Sequence, residues 1–196
     1  LADIAPLGVL RIRDRWLVET ACLLKHEERT DAVGMSSANR ALLVTCLSRM
    51  GMTPSDGLIM PSRSGSLDPA IMIQLMERYK LGPEALNTLI NSESGLKGIS
   101  GISSDIHEIE SAAADGHHRA LLAHKAFCYQ IRKNIGAYVA AMGGVSVLAF
   151  TGDIGETSSA VRSLACQGLA YMGIKLDEEK NRNLAALHDY AVISAD

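Results

Sequence analysis

The stretch from Gly143 to Met172 constrains the fold more than any other part of the chain. Two glycines stop a helical pattern, and Val145-Ser-Val-Leu-Ala-Phe-Thr151 follows with the branched and aromatic character of a strand. That segment enters Gly152-Asp-Ile-Gly-Glu-Thr-Ser-Ser159, after which a helical pattern resumes through Val161, Leu164, Leu169 and Met172. A helix, strand, glycine-bearing turn and helix in this order form a unit of α/β proteins. The chain has 196 residues, 47% apolar and 21% charged, enough to bury a core as one domain or two small ones. Disorder, collagen and a disulfide miniprotein are excluded.

Charge and cysteine usage narrow the partners. A net charge of −3 is unlike the basic footprint that phosphate-backbone binding requires, so nucleic acid is not expected as a partner. Cys22, Cys46, Cys128 and Cys166 are widely separated among Ala, Leu and Val, and they read as reduced, mostly buried thiols of an intracellular protein. No apolar run reaches the ~20 residues of a membrane helix, and the opening residues lack the order of a signal peptide. A soluble cytoplasmic protein is the expectation. The chain opens on Leu1 rather than Met, and Tyr190-Ala-Val-Ile-Ser-Ala-Asp196 reads as a strand beginning without its sequel, so a piece of something longer is expected.

Elsewhere the chain alternates turn-rich loops with helices. Residues 14–28 pattern as an amphipathic helix and Ala41–Leu47 as a buried strand. Between Gly51 and Pro69, breakers such as Thr53-Pro54, Asp56-Gly57, Met60-Pro61 and Ser64-Gly65 predict a long loop held by turns. Asp68 then caps a helix with Pro69 at its first position, Ile71, Met72, Leu75, Met76 and Tyr79 as apolar stripe, and Gly82 as stop. Pro83 starts a short helix through Leu86, Leu89 and Ile90, followed by a second loop over 92–104. Ser103 or Ser104 caps a helix from Asp105 to about Ala114. After Asp115-Gly116 a long helix runs to about Met142, with Leu121, Leu122, Phe127, Ile131, Ile135 and Tyr138 as core candidates.

Ligands of α/β sheets collect where strands end, which is the place of the Gly152–Ser158 turn. Gly152 and Gly155 admit a close ligand, and amides at the next helix start favour a nucleotide or phosphate; the bland alternative is an ordinary turn capped by Thr157 or Ser158. Arg63, among the hydroxyls of Ser62, Ser64 and Ser66, suits phosphate oxygens, against the alternative of a solvated loop arginine. Asp105 near a helix start serves as a cap whatever its function. His117, His118 and His124 offer no ligand pair one helical turn apart, so no metal site is expected.

Four motifs in order, Met50-Gly-Met-Thr-Pro54, Gly57-Leu-Ile-Met-Pro-Ser-Arg-Ser-Gly-Ser-Leu-Asp-Pro69, Ser94-Gly-Leu-Lys-Gly-Ile-Ser-Gly-Ile-Ser-Ser-Asp105 and Phe150-Thr-Gly-Asp-Ile-Gly-Glu-Thr-Ser158, resemble the acetate/propionate kinase family. The resemblance covers about 50–196 and implies an acyl-phosphate-forming kinase of the actin/hexokinase-like superfamily that uses ATP and Mg2+ and assembles as a homodimer. The implied fold is α/β: a partial actin-like (ribonuclease H-like) lobe, helix-rich with few strands. Residues 41–196 would be an incomplete carboxyl-terminal lobe, and 1–40 a poorly matched amino-terminal segment. By motif, Arg63 matches the arginine that stabilises the transferring phosphoryl group. Asp105, Ile106 and His107 match the nucleotide-binding Asp-x-Arg, and Asp153, Ile154, Gly155, Glu156 and Thr157 match the Gly-Ile-Gly-Glu-Asn loop around the adenosine.

The chain departs from that pattern at informative places. His107 stands where the family has arginine, and Asp153 and Thr157 replace a glycine and an asparagine. The phosphate loop His-Leu-Gly-Asn-Gly and the later Pro-Thr-x-Glu-Glu segment do not occur in the sequence. The resemblance therefore supports two readings: a carboxylate kinase acting on ATP and acetate or propionate, present as an incomplete chain, or a catalytically inert fragment or dimerisation module derived from one.

Overall fold

The computed structural model describes residues 55–184 and 191–195. The expected helix over 14–28, the strand over 41–47 and the boundary at residue 40 lie outside them. The described residues fall into two compact units, one comprising 55–130 and the other 131–184 with 191–195.

In the first unit the turn chemistry acts as the sequence predicts. Asp68 accepts a hydrogen bond from the Ala70 amide and Pro69 opens α1 (Pro69–Tyr79). The stop differs from expectation: Lys80, not Gly82, takes the left-handed conformation (φ 55°) that ends the helix. Gly82 instead precedes α2 (Pro83–Ser92), whose first residue is again proline. The expected apolar stripe of α1 is not buried. Ile71 and Tyr79 are exposed, and Met72, Leu75 and Met76 are half-buried.

The second predicted loop contains a helix, α3 (Gly95–Ser100), that composition did not reveal. Tertiary hydrogen bonds hold it in place. Leu96 and Lys97 donate to the carbonyls of Met60 and Pro61 (2.9 and 3.0 Å), Ser94 donates to Ser62 (3.0 Å), and Ser64 donates to Ile90 (2.9 Å). Gly95 makes this approach possible. Its φ is +66°, and a Cβ there would overlap the Met60 carbonyl oxygen and stand 2.7 Å from that of Arg63. At the other end of α3, Arg119 donates to the carbonyls of Ile99 and Gly98 (2.9 and 2.8 Å), satisfying two carbonyls near the helix C-terminus.

α4 (Ile106–Ala114) is capped by Asp105 rather than by Ser103 or Ser104: its carboxylate accepts from the His107 amide at 2.8 Å, while Ser103 Oγ accepts from the Asp105 amide. α5 (His118–Met142) begins where His117 Nδ1 accepts from the Ala120 amide, and it ends at Gly143 and Gly144, both with positive φ. Its buried face matches the expected one at Phe127 but not at Leu121 or Leu122, and Ile131, Ile135 and Tyr138 are half-buried. Ala120, Ala123, His124, Phe127 and Cys128 are buried, whereas Leu121 and Leu122 are exposed.

In the second unit, Val145–Thr151 forms no strand. A strand exists only through the ladder it makes with a neighbour, and among the described residues no backbone pairing joins 145–150 to another segment. It leads into α6 (Gly152–Thr157), then α7 (Ser159–Cys166), capped by Ser158 through a 3.0 Å bond from the Val161 amide. A 3-10 turn (Ala170–Met172) and α8 (Glu178–Arg182) follow. The strand expected near the chain's end is a single antiparallel pairing: Asp177 donates to Ile193 and Ala195 to Lys175 (2.8 and 3.0 Å). Val139, Val161, Ala165, Cys166 and Leu169 are this unit's buried apolar residues.

Replacing Gly95→Ala should destabilise the first unit by roughly 3 kcal/mol, the sum of a left-handed backbone and an overlap that only backbone movement can relieve. A urea midpoint equal to that of the parent chain would show that the approach at Gly95 is not tight.

Candidate functional site

Arg63 stands on the loop that α2 and α3 hold from behind. Gly57 and Ser66 close the loop upon itself: Ser66 donates its amide to the Gly57 carbonyl (3.0 Å), and the Gly57 amide donates to Ser66 Oγ (3.0 Å). Ser62 Oγ donates to the Asn91 carbonyl (3.0 Å). The backbone of Arg63 joins this network through its carbonyl, which accepts from the Met60 amide at 3.1 Å. Its side chain does not, since the guanidinium of this half-buried residue makes no hydrogen bond or ion pair among the described residues. The result is a permanent cation on a braced turn, its donors uncommitted among the described residues, as recognition of an oxyanion requires.

The start of α4 holds the second group of expected ligands. Asp105 uses one carboxylate oxygen on the helix cap, Ile106 is buried at 2% exposure, and His107 is exposed. A cluster that sequence reasoning missed lies beside them. Glu110 stands between two imidazoles, its Oε2 3.6 Å from His107 Nδ1 and its Oε1 3.3 Å from His124 Nε2. His124 is only 7% exposed. The neighbouring Cys128 and the Glu110 carboxylate outweigh the desolvation of its ring and raise its pKa from 6.5 to about 9. The sequence did contain the signal, because His107 and Glu110 stand at i, i+3 and His124 and Cys128 at i, i+4. The expectation that no such pairing exists is corrected by these contacts.

The third group lies in the other unit, on α6. Gly152 enters with φ +75°, and its amide donates to Glu156 Oε1 at 3.1 Å, while Thr157 Oγ1 donates to the Asp153 carbonyl at 2.6 Å. Glu156 and Thr157 therefore use side-chain oxygens to shape the turn itself. Asp153 is exposed, and Ile154 and Gly155 are half-buried. A Cβ at Gly155 would stand 3.4 Å from the Phe150 carbonyl carbon, so the backbone here lies close against the preceding segment. Arg63 and Asp105–His107 thus share one unit, and Asp153–Thr157 belong to the other.

Comparison with known proteins identifies the family. The sequence model described as the acetokinase family matches residues 44–196. The chain belongs to the acetokinase family. Over 147 residues it is 46% identical to the acetate kinase of Phocaeicola vulgatus, covering 75% of this chain and 36% of that protein. Over 133 residues it is 50% identical to the acetate kinase of Dictyoglomus thermophilum, covering 68% and 33%. The chain spans about a third of the length of these curated relatives. Among solved structures, acetate kinase from Porphyromonas gingivalis superimposes with a TM-score of 0.71 at 44% identity, covering 75% of this chain and 36% of that one. A propionate kinase from Francisella tularensis gives 0.67 at 33% identity, covering 72% and 37%. The fold is accordingly that of the acetokinases, an actin-like architecture represented here by a helix-rich portion.

Among the described residues no group of three or more His, Cys, Asp or Glu side chains is placed to hold a metal ion, and no helix is long and apolar enough to cross a membrane. Cys128 and Cys166 are buried free thiols, and burial pushes Cys166 up to about 11.

His124 makes stability pH-dependent with a definite sign. Its pKa is higher folded than unfolded, so its stabilisation is complete below about 6.5 and is lost as pH rises through about 9. Urea unfolding of the chain should show falling stability across that window, with a smaller fall in Glu110→Gln. A parent profile that is flat from pH 6 to 9.5 would contradict the assignment.

Proposed function

We propose that this chain carries the nucleotide side, together with the phosphoryl-stabilising arginine, of an acyl-phosphate-forming carboxylate kinase that converts ATP and acetate or propionate to ADP and acyl phosphate. The observation that carries the reading is Arg63, half-buried on a braced turn with no partner for its guanidinium among the described residues. The chemistry explains why a cation is needed there. A carboxylate is already ionised at neutral pH and needs no base, so an oxygen of the acid attacks the γ-phosphorus directly while the bond to the ADP oxygen breaks. Nucleophile and electrophile are both anionic, and most of the catalytic work is positioning and offsetting negative charge. Arg63 supplies that charge.

In the same reading Asp105, Ile106 and His107 and the turn from Asp153 through Ile154, Gly155 and Glu156 to Thr157 hold the adenine nucleotide. The whole enzyme would act in the cytoplasm as a homodimer. Mg2+ accompanies ATP in this chemistry, but the described residues do not converge on a metal, so no step is assigned to a protein-held ion.

A second reading applies to the 196-residue chain by itself: a catalytically inert portion that keeps the packing of its lobe and serves in assembly. It is favoured by the chain's span of about a third of its relatives and by a sequence that lacks His-Leu-Gly-Asn-Gly. The chain alone should form no acyl phosphate from ATP, Mg2+ and acetate, because losses of positioning groups at such sites are steep. Hydroxamate trapped above a heat-killed control would sink the inert reading.

Nucleotide binding tests the reading of the site. An imidazole at 107 offers at most two donors, whereas a guanidinium offers a permanent charge and a fork of donors. ATP affinity, measured by calorimetry, should therefore rise in His107→Arg, and Asp153→Gly should raise it as well by removing a carboxylate from the turn. Unchanged affinity in His107→Arg would show that residue 107 does not face the nucleotide.

A further inference from the structure

Arg162 is the most deeply buried charged side chain among the described residues, at 2% exposure. Among them no carboxylate lies within ion-pair distance of it. Its guanidinium is held instead by neutral oxygens on two sides. Nη1 donates to the carbonyls of Gly155 (2.8 Å) and Glu156 (2.9 Å), which belong to α6. On the far side Nε donates to Asn181 Oδ1 (2.7 Å) and Nη2 to the Asn181 carbonyl (2.9 Å), on α8. Asn181, itself 1% exposed, donates through Nδ2 to the Ser159 carbonyl (2.9 Å), which closes the arrangement around the start of α7.

Burying a charge among neutral partners is costly. What an apolar residue lacks is a rigid fork of donors able to fix two consecutive carbonyls of one helix and both oxygens of a residue on another. The two carbonyls fixed here are those of Gly155 and Glu156, in the middle of the turn assigned above to the nucleotide. Phe150 limits that turn at Gly155 as well. We infer that Arg162 and Asn181 are positioning residues for the nucleotide turn: the fork sets the backbone of residues 153–157 in its binding conformation from beneath, without touching the nucleotide. The inference rests on the reading of 153–157 as a nucleotide site.

The test uses the full chain, ATP as the probe, and two variants. Arg162→Lys keeps the charge but cannot fork between α6 and α8; Asn181→Ala keeps the bonds to Gly155 and Glu156 but removes the side-chain grip opposite. Amide hydrogen exchange of the nucleotide-free chain should quicken about tenfold or more over 152–157 in Arg162→Lys, with α2 in the other unit unchanged as a control for folding. ATP affinity should fall about tenfold, because the turn would then have to be ordered on binding rather than on folding. Asn181→Ala should give smaller changes in the same direction, and it carries both readouts should the lysine variant fail to fold. Unchanged exchange over 152–157 would overturn the inference. So would faster exchange with unaltered ATP affinity, which would make the fork purely structural. If the unmodified chain binds no ATP, the nucleotide reading itself fails, and that result is visible before any variant is made.

Discussion

The contact at Gly95 is the constraint on which the first unit's chemistry depends. Two stretches distant in sequence, 60–64 and 90–97, exchange backbone hydrogen bonds directly, and only a residue without a Cβ permits them to come so close. Backbone bonds of this kind fix dihedral angles more firmly than side-chain packing does. Arg63 consequently departs from a rigid support although its segment has no regular secondary structure. A long side chain on a mobile loop would lose conformational entropy on meeting an anion; here the backbone part of that loss is incurred on folding.

The two units each bury a cation and treat it differently. His124 is stabilised in its charged form by Cys128 and a carboxylate, which raises its pKa and makes the charge removable at alkaline pH. Arg162 is surrounded by carbonyl and amide oxygens, and burial lowers its pKa without bringing an arginine near neutrality. One arrangement can titrate and the other is fixed. The difference follows their places: the histidine lies by an exposed imidazole across Glu110, the arginine against the carbonyls of the 152–157 turn.

Helix starts were legible in the sequence because their chemistry is local. Asp68-Pro69, Gly82-Pro83, Ser158 and Gly143-Gly144 act through neighbours within one turn, and each marks a real boundary. Features set by distant partners were not legible. Val145–Thr151 has the composition of a strand, but composition does not supply the second strand. The helix at Gly95–Ser100 hides in a glycine- and serine-rich stretch because bonds to Met60 and Pro61 define it. At the candidate site, the motif resemblance brought Arg63 and the two nucleotide segments forward, while it gave no role to Glu110, His124, Arg162 or Asn181. Arg162 could have been found, since it stands three and four residues before Ala165 and Cys166, which are buried on the same helix; a lone arginine on such a face is a question the pattern itself raises.

The neutral cage around Arg162 also has a meaning for the history of the chain. Changing Arg162 alone leaves four acceptors without this donor, and changing Asn181 alone leaves Nε without its acceptor. Because three of those acceptors are backbone carbonyls, an apolar pair at these positions would leave them unpaired too. The two positions are therefore locked together across a helix-to-helix distance, and drift that freely alters the exposed faces of α6 and α8 has no gradual path through this point.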